Sequence, residues 1–205
     1  MIIVFLIGFF AATIGIALPG LINMTAAKIS MQDGKERALS FVFGALFIIV
    51  IQTYLAIVFC KFIASNHAVL QVIRKTGVII FSSLTIYFLF FAKKYKSNPK
   101  GIKIRSKSSR FFLGMLLSSL NFFPIPFYVY VVLSLSTAGY FDFKNISVAT
   151  FLLSVLLGSF VMFNFYINFF KKIETKTDFF FNNMNKIIGT VTGIVTIISL
   201  VKILN

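Results

Sequence analysis

The sequence predicts an all-α, polytopic membrane protein with six transmembrane helices. Of its 205 residues, 59% are hydrophobic and 12% are charged, and the mean hydropathy is +0.96, a composition that soluble domains do not show. Clusters of Lys and Arg separate uncharged stretches, and all but the last reach the roughly 17 to 25 apolar residues that a helix needs to cross the hydrocarbon core. These stretches are residues 2–27, 38–60, 76–92, 111–141, 145–170 and 187–201.

The first and last stretches need separate arguments. The last one becomes long enough if Lys202 extends its ammonium group to the interface while its aliphatic part stays in lipid. The first one lacks the basic segment of a secretory signal peptide and stays apolar past Pro19 to Ala27. We therefore expect both to be membrane spans. The single cysteine, Cys60, excludes an internal disulfide and is interpreted as a packing residue.

The basic residues predict the orientation in the cytoplasmic (inner) membrane. If the N-terminus lies outside, 15 of the 20 Lys and Arg residues face the cytoplasm, as the positive-inside rule requires. Both termini are then outside, and the basic segment 93–110 is a cytoplasmic linker. Its cations are explained by anchoring to the lipid bilayer, so we predict no nucleic-acid partner, although a basic patch of this kind can also bind anionic lipid.

The linker divides the chain into two similar three-helix repeats, residues 1–92 and 111–205. Phe5-Leu6-Ile7-Gly8 is followed by Pro19, and Phe111-Phe112-Leu113-Gly114 is followed at almost the same distance by Pro124. Because three spans is an odd number, the second copy enters the membrane from the opposite side, and the repeat is inverted. Inverted repeats with interrupted helices are typical of secondary transporters, whose substrate site lies near the midplane. Chance similarity between Phe-rich segments is the alternative.

The prolines predict where backbone groups become available. A proline inside a helix has no N–H and clashes with the carbonyl four residues earlier, so Pro19 is expected to free the carbonyl of Gly15. By the same rule Pro124 is expected to free the carbonyl of Leu120, and Pro126 that of Phe122. Freed carbonyls are tolerated in a membrane only where they face protein or water.

Polar residues near these prolines form the candidate substrate site. The alternative is that the prolines are packing kinks and that the polar residues join helices by hydrogen bonds, a role that we also assign to Gln52, Thr53, Asn164 and Asn168. The predicted substrate-binding residues are Pro19, Gly20, Asn23, Asn121 and Pro124, and Thr25, Ser118 and Ser119 lie near the same two positions.

The sequence disfavours an enzyme and a channel. One His, one Cys and five carboxylates provide no paired-acid site, no metal-ligand cluster and no nucleophile with a base. Neither a phosphate-binding loop nor a dinucleotide fingerprint is present, and no charged ring or filter-like segment is visible. We therefore expect no catalytic residue, no metal site and no cofactor.

The order of the motifs resembles the LysE/RhtB superfamily of bacterial amino-acid exporters. In that family a glycine-rich first helix leads to Pro-Gly-Pro, similar to Pro19-Gly20-Leu21 here. The fourth helix of the family reads Gly-x-x-x-x-Leu-x-Asn-Pro, similar to the segment from Gly114 to Asn121. The resemblance covers essentially the whole chain. It implies gradient-driven export of small amino acids or related metabolites across the bacterial cytoplasmic membrane.

Three departures from the family bear on geometry and cargo. Leu21 replaces the second proline, two residues separate Asn121 from Pro124, and no span contains the carboxylate that many relatives carry. An intramembrane acid is the natural partner of a cationic substrate, so we predict a neutral or zwitterionic cargo. Proton coupling would then use a carboxylate at an interface or in a loop, which leaves Asp33, Glu36, Asp142, Glu174 and Asp178. Asp33 and Glu36 are the candidates because they lie closest to the first break, and their alternative role is that of surface charges in a cytoplasmic turn.

Two further expectations concern partners and the competing function. Gly189 and Gly193 have the G-x-x-x-G spacing of helix dimers, which is compatible with a homodimer. The missing intramembrane acid also fits the alternative function, a non-transporting membrane scaffold or a degenerate paralogue of the exporter fold.

Overall fold

In the computed structural model, the regular secondary structure of the described residues is entirely helical. The structure describes residues 1–17, 20–64, 82–83, 85–91 and 106–169, together with positions 186, 190, 193 and 197. Within these ranges the chain forms helices and turns and no strand. The all-α prediction is therefore confirmed for this part of the chain.

Two helices of the described chain, α3 (Lys35–Ala64) and α6 (Asn145–Phe169), are long and apolar enough to cross a membrane. α1 (Ile2–Ala17) with α2 (Leu21–Asp33), and α4 (Lys107–Ser119) with α5 (Pro124–Thr137), form bent pairs that would each count as one more span. These helices are compatible with a helical membrane protein. The elements are α1 (Ile2–Ala17), α2 (Leu21–Asp33), α3 (Lys35–Ala64), a π-helical segment (Tyr87–Phe91), α4 (Lys107–Ser119), α5 (Pro124–Thr137) and α6 (Asn145–Phe169).

The helices follow four of the predicted stretches. The stretch 38–60 lies within α3, and 145–170 corresponds to α6. The stretches 2–27 and 111–141 each contain two helices in place of one. The stretch 76–92 is described only at 82–83 and 85–91, and most of 187–201 lies outside the described residues.

Local sequence explains where several helices begin and end. Gly34 follows α2 with a φ of +92°, a conformation that glycine adopts without steric cost, and α3 begins at the next residue. The Ser106 hydroxyl accepts a hydrogen bond from the Ser109 N–H at 3.2 Å and so caps the N-terminus of α4. At the start of α5, Pro124 occupies the first turn, where its missing N–H costs no helical hydrogen bond.

Contacts divide the chain into two compact units. Unit 1 contains Met1–Phe62 and Gly101–Ile173, and unit 2 contains Ile63–Lys100 and Glu174–Asn205. Each unit takes segments from both sequence halves. In unit 2, a Cβ atom on Gly193 would lie in ordinary contact with Thr85, 3.4 Å from its Cγ2. That face of Gly193 therefore meets its own chain, and Gly189 lies outside the described residues.

The core of unit 1 is apolar and draws on α1, α2, α3, α5 and α6. Large apolar side chains also cover the outer faces of these helices; Phe10 is 56% exposed and Phe47 is 53% exposed. Extensive apolar surface of this kind is expected of a chain that contacts lipid. Fully or nearly fully buried core residues include Val4, Ala12, Phe41, Val42, Ala45, Tyr128, Val132, Phe151 and Val155.

Helices α3 and α4 touch through a pair of glycines. A Cβ atom on Gly44 would overlap the carbonyl oxygen of Phe111, and a Cβ atom on Gly114 would overlap that of Phe41. The two backbones are thus in direct contact at this point. Small residues at helix contacts allow this approach in membrane proteins.

Helices α1 and α6 touch in the same way. A Cβ atom on Gly158 would overlap the carbonyl oxygen of Phe9, and a Cβ atom on Gly8 would overlap the Ser154 hydroxyl. The first helix of each sequence half therefore packs on the long helix of the other half.

Candidate functional site

The first helix break lies between α1 and α2, which are bent by 73° relative to each other. Pro19, one of the predicted site residues, lies outside the described residues. Gly20 is the N-cap of α2 and has an extended backbone (φ −116°, ψ 175°). Its carbonyl accepts the hydrogen bond from the Met24 N–H at 3.0 Å, so Gly20 starts the new helix.

Side chains bind the last carbonyls of α1, which have no partner within that helix. Asn23, which is 6% exposed, donates from Nδ2 to the carbonyl of Ile16 at 2.6 Å. The Tyr166 hydroxyl of α6 donates to the carbonyl of Ala17 at 2.8 Å, and Asn23 also interacts with that hydroxyl. The predicted residue Asn23 therefore stabilises the break itself.

The second break separates α4 from α5, which are bent by 64°. Leu120 is the C-cap of α4, and its N–H bonds to the carbonyl of Leu116 at 3.1 Å. The carbonyl of Phe122 accepts a hydrogen bond from the Ile125 N–H at 3.3 Å. The prediction that Pro126 frees this carbonyl is wrong, because both prolines lie in the first turn of a new helix and not inside a continuous one.

One amide group holds the second break. Gln52 of α3 is 5% exposed, and its Nε2 donates to the carbonyls of Asn121 at 2.9 Å and Ser118 at 3.2 Å. Both neighbours are acceptors, so the NH₂ end of the amide must face them. The Asn121 side chain is exposed, and its Oδ1 accepts a hydrogen bond from the Phe123 N–H at 3.4 Å.

Two buried polar atoms at the second break have no hydrogen-bond partner among the described residues. They are Oε1 of Gln52 and the hydroxyl of Ser118, whose residue is 1% exposed. Most buried polar atoms in proteins are paired with protein or ordered water. An acceptor and a hydroxyl are therefore unpaired at this break within the described chain.

The two breaks are built from the same parts with the sequence halves exchanged. Gln52 lies eight residues after Gly44, and Tyr166 lies eight residues after Gly158. In each case the long helix touches the first helix of the other half through its glycine and then caps the end of that same helix. The end of α1 also reaches α5, since a Cβ atom on Gly15 would lie 3.4 Å from Phe127 Cε1.

The structure buries one of the two predicted coupling carboxylates. Asp33 ends α2 with a fully buried side chain, and its Oδ2 accepts hydrogen bonds from Arg110 of α4, from Nε at 2.7 Å and from Nη2. Asp33 therefore lies at the end of α2, next to the Gly34 turn, with its carboxylate buried against α4. Glu36 is exposed and pairs with Lys107 at 2.6 Å, which agrees with its alternative role as a surface charge in a turn.

Sequence reasoning identified only part of this network. Of the residues assigned to hydrogen bonding between helices, Gln52 has that role, whereas Thr53, Asn164 and Asn168 bond to carbonyls of their own helices. Tyr166 and Arg110 were not predicted at all. The common eight-residue spacing from Gly44 and Gly158 is the signal that points to Gln52 and Tyr166.

Within the described ranges, no group of three or more His, Cys, Asp or Glu side chains could hold a metal ion. Comparisons with protein-family models, with curated proteins and with solved structures give no match. The resemblance to the LysE/RhtB superfamily therefore has only the sequence motifs behind it.

Proposed function

We propose that this chain is a secondary active transporter that exports small neutral or zwitterionic amino acids, or related metabolites, across the bacterial cytoplasmic membrane. The observation that carries the proposal is the pair of broken helices, each capped by a polar side chain from the other sequence half. Broken helices at corresponding positions build the substrate sites of many secondary transporters. Such breaks are tolerated in a bilayer only where they face protein or a water-filled cavity.

The proposed architecture has six spans in two inverted repeats, residues 1–92 and 111–205. The exchanged glycine contacts support it, because a two-fold relation between the halves generates such a pair of contacts. A further match is that Ser40 lies four residues before Gly44 and Ser154 four residues before Gly158. In both places the serine lies beside the contact: Ser40 bonds to α4 at the Lys107 carbonyl, 2.8 Å away, and Ser154 faces α1.

Contacts at the two ends of unit 1 agree with the pairs of segments that the proposed topology puts on the same side of the membrane. The ion pair between Glu36 and Lys107 joins the α2–α3 turn to the start of α4, both of which we assign to the cytoplasm. The hydroxyl oxygens of Ser147 and Thr150, at the start of α6, lie 3.8 and 3.9 Å from the Met1 sulfur. This places the N-terminus beside the loop that we assign to the outside.

The second break is the proposed substrate site. Its unpaired Gln52 Oε1 accepts a substrate N–H, and the Ser118 hydroxyl donates to a substrate oxygen. Both groups are neutral, which favours a cargo without net charge. The first break, whose carbonyls are held by Asn23 and Tyr166, is the proposed hinge.

The alternative is a non-transporting scaffold, and the closed packing of unit 1 favours it. Asp33 is engaged with Arg110 in a buried ion pair, and both helix breaks have capping side chains. A protein with no moving part would have the same features. Transport measurements distinguish the two functions.

The test is efflux from proteoliposomes preloaded with a panel of labelled neutral and cationic amino acids, with an ion gradient imposed. We expect gradient-dependent efflux of neutral members and none of lysine or arginine. Ser118→Ala removes a buried hydroxyl that bonds to no described residue, so the free energy of unfolding should not fall. Its apparent KM should rise about tenfold, the effect of losing one hydrogen bond worth about 1.4 kcal/mol.

Ser119→Ala is the matched control. Its hydroxyl is exposed and bonds to the Leu116 carbonyl of its own helix at 2.8 Å, so efflux should stay at the wild-type level. An equal rise of KM in both variants would contradict the assignment of the site. Folded protein that releases no member of the panel would favour the scaffold.

A further inference from the structure

Two ion pairs join the turn between α2 and α3 to the first turn of α4, within unit 1. Asp33 pairs with Arg110, and Glu36 pairs with Lys107 at 2.6 Å. The two acids are three residues apart on one side of the contact, and the two bases are three residues apart on the other. Opposite charges therefore hold the start of α4 against this turn.

The two pairs differ in their exposure to solvent. The side chains of Glu36 and Lys107 are 79% and 62% exposed, and an exposed pair contributes little to stability. Those of Asp33 and Arg110 are 0% and 2% exposed. Because a buried pair loses the hydration of both ions, it stabilises a contact less than apolar packing of the same size. Separating Arg110 from Asp33 restores that hydration, so this contact can open more easily than the apolar core.

One atom of the buried pair favours opening further. Oδ1 of Asp33 is buried and bonds to none of the described residues, although Oδ2 accepts a hydrogen bond from Arg110 Nε at 2.7 Å. A buried charged acceptor without a partner destabilises the arrangement that buries it. If Arg110 moved away, water would bond to both carboxylate oxygens.

One face of α4 leads from Arg110 to the second break. Arg110, Gly114 and Ser118 are the buried residues of this helix and follow each other at intervals of four, so they lie along one stripe. At 1.5 Å per residue the stripe is about 12 Å long. Gly114 meets the Phe41 carbonyl of α3 directly, so no side chains interlock the two helices there. An opening that begins at Arg110 can therefore extend to Ser118.

We propose that Asp33, Glu36, Lys107 and Arg110 form a cytoplasmic latch, which is closed in this structure. The latch must separate before water or cargo passes between the cytoplasm and the second break. This inference rests on the proposed function in treating the second break as the substrate site and the α2–α3 turn as cytoplasmic. Access to the break and efflux are therefore measured separately.

A thiol at the second break reports whether the latch is open. Ser118→Cys in a Cys60→Ala background gives the chain one cysteine, at a position that is 1% exposed in the closed arrangement. Inside-out membrane vesicles present the cytoplasmic face to a membrane-impermeant methanethiosulfonate reagent. The rate of thiol modification then follows the open fraction of the latch.

The first comparison removes the charges of the buried pair. Asp33→Asn combined with Arg110→Gln leaves neither ion without its partner. We expect the modification rate to rise about tenfold or more in inside-out vesicles and to stay unchanged in right-side-out vesicles. An unchanged rate in inside-out vesicles would overturn the proposal. So would an equal rise from both sides, which would mean that the protein is loosened as a whole.

The second comparison closes the latch covalently in the double variant. A carbodiimide joins the Glu36 carboxylate to the Lys107 amine as an amide, with loss of water, and these groups already lie 2.6 Å apart. The linked protein, identified by mass spectrometry, should react as slowly as the background. Adding Glu36→Gln is the matched control, because it prevents this link alone and the rate should stay high. Linked protein that still reacts rapidly would overturn the proposal.

If the double variant fails to fold, the same comparison in the background decides. The link must then lower the modification rate about tenfold, and Glu36→Gln must abolish that fall. Access that depends on the latch in a protein without efflux would keep the latch and reject the transporter. Efflux in a protein whose access to position 118 ignores both the charges and the link would do the reverse.

Discussion

The half made of α1–α3 and the half made of α4–α6 use the same backbone contacts but different chemistry at their breaks. In the first, Asn23 and Tyr166 each hold one carbonyl of α1. In the second, Gln52 alone holds two carbonyls. Its Oε1 and the Ser118 hydroxyl remain unpaired within the described chain.

This difference distinguishes the glycine contacts, which stabilise the fold, from the capping side chains, which we connect with function. The glycine contacts are steric and tolerate no side chain, so both halves retain them. The capping position can be filled by any side-chain donor that is long enough to reach the carbonyl. It is therefore occupied by an amide, Gln52, in one half and by a phenol, Tyr166, in the other. We infer that the second break, which the Gln52 amide caps, binds cargo, and that the first break, which the Tyr166 phenol caps, acts as a hinge.

The largest expected effect tests whether the glycine contacts are equivalent. Gly114→Ala and Gly158→Ala each place a Cβ atom onto a backbone carbonyl of the facing helix. The helices must then move apart, and we expect each variant to lose about 3 kcal/mol of unfolding free energy, the upper part of the usual range for overpacking. Denaturation in mixed detergent–SDS micelles measures this loss.

Gly15→Ala is the control for these variants. Its Cβ atom would lie 3.4 Å from Phe127 Cε1, an ordinary contact, and alanine gains up to about 1 kcal/mol in helix propensity over glycine. Stability should not fall. Gly114→Ala with wild-type stability would show that the contact between α3 and α4 is looser than described.

A smaller effect is expected from the capping side chains, and it should differ between the halves. Gln52→Leu leaves two carbonyls unpaired and should cost about 1–3 kcal/mol, whereas Tyr166→Phe removes one hydrogen bond and should cost about 1 kcal/mol. Efflux should be lost in Gln52→Leu and retained in Tyr166→Phe. Unfolding and efflux are measured on the same preparations.

The control for the caps is Thr53→Val. Its hydroxyl bonds within α3 to the Ile49 carbonyl at 2.7 Å, so removing it tests the effect of a neighbouring polar-to-apolar change without disturbing a break. Equal losses in Gln52→Leu and Tyr166→Phe would mean that the two breaks do not differ in the way proposed.

Charge spacing and prolines predict the helices better than the breaks. Uncharged stretches indicate apolar helices but not their number, since 2–27 contains two helices and 145–170, of the same length, forms one. A proline is equally compatible with a kink and with a helix start, so the position of the second break relative to Pro124 could not be derived. Asn23 and Asn121 do lie at the breaks.

The partners of the site residues could not be predicted, because they come from distant parts of the chain. Gln52 meets Asn121 across 69 residues, and Tyr166 meets Ala17 across 149. The repeat is also hard to recognise in the sequence, because the equivalent positions hold different residue types, Gln52 and Tyr166. Arg110 counts in the sequence as one more cytoplasmic cation; only its pairing with an acid on another helix explains its burial.

The halves differ again in the connection before the long helix. Gly34 alone joins α2 to α3, whereas residues 138–144 join α5 to α6. In the longer connection, the pKa of Asp142 is lowered to about 2, chiefly by the hydrogen bond from Ser147 and then by Lys144. The loop thus depends on an ionised carboxylate, which the one-residue turn does not contain.

The smallest expected effect tests that dependence. Ser147→Ala removes the main donor, so the pKa of Asp142 should rise toward the usual value near 4. Since the folded-state pKa lies below the unfolded one, the stabilisation is complete above about pH 4 and is lost as the pH falls through about 2; in the variant the same loss ends at a higher pH. Carbonyl ¹³C NMR of aspartate-labelled protein measures the pKa of Asp142, because the chain has three Asp residues and few signals overlap. Lys144→Gln should raise the pKa less, and a pKa unchanged by Ser147→Ala would show that Ser147 is not the group that holds the loop.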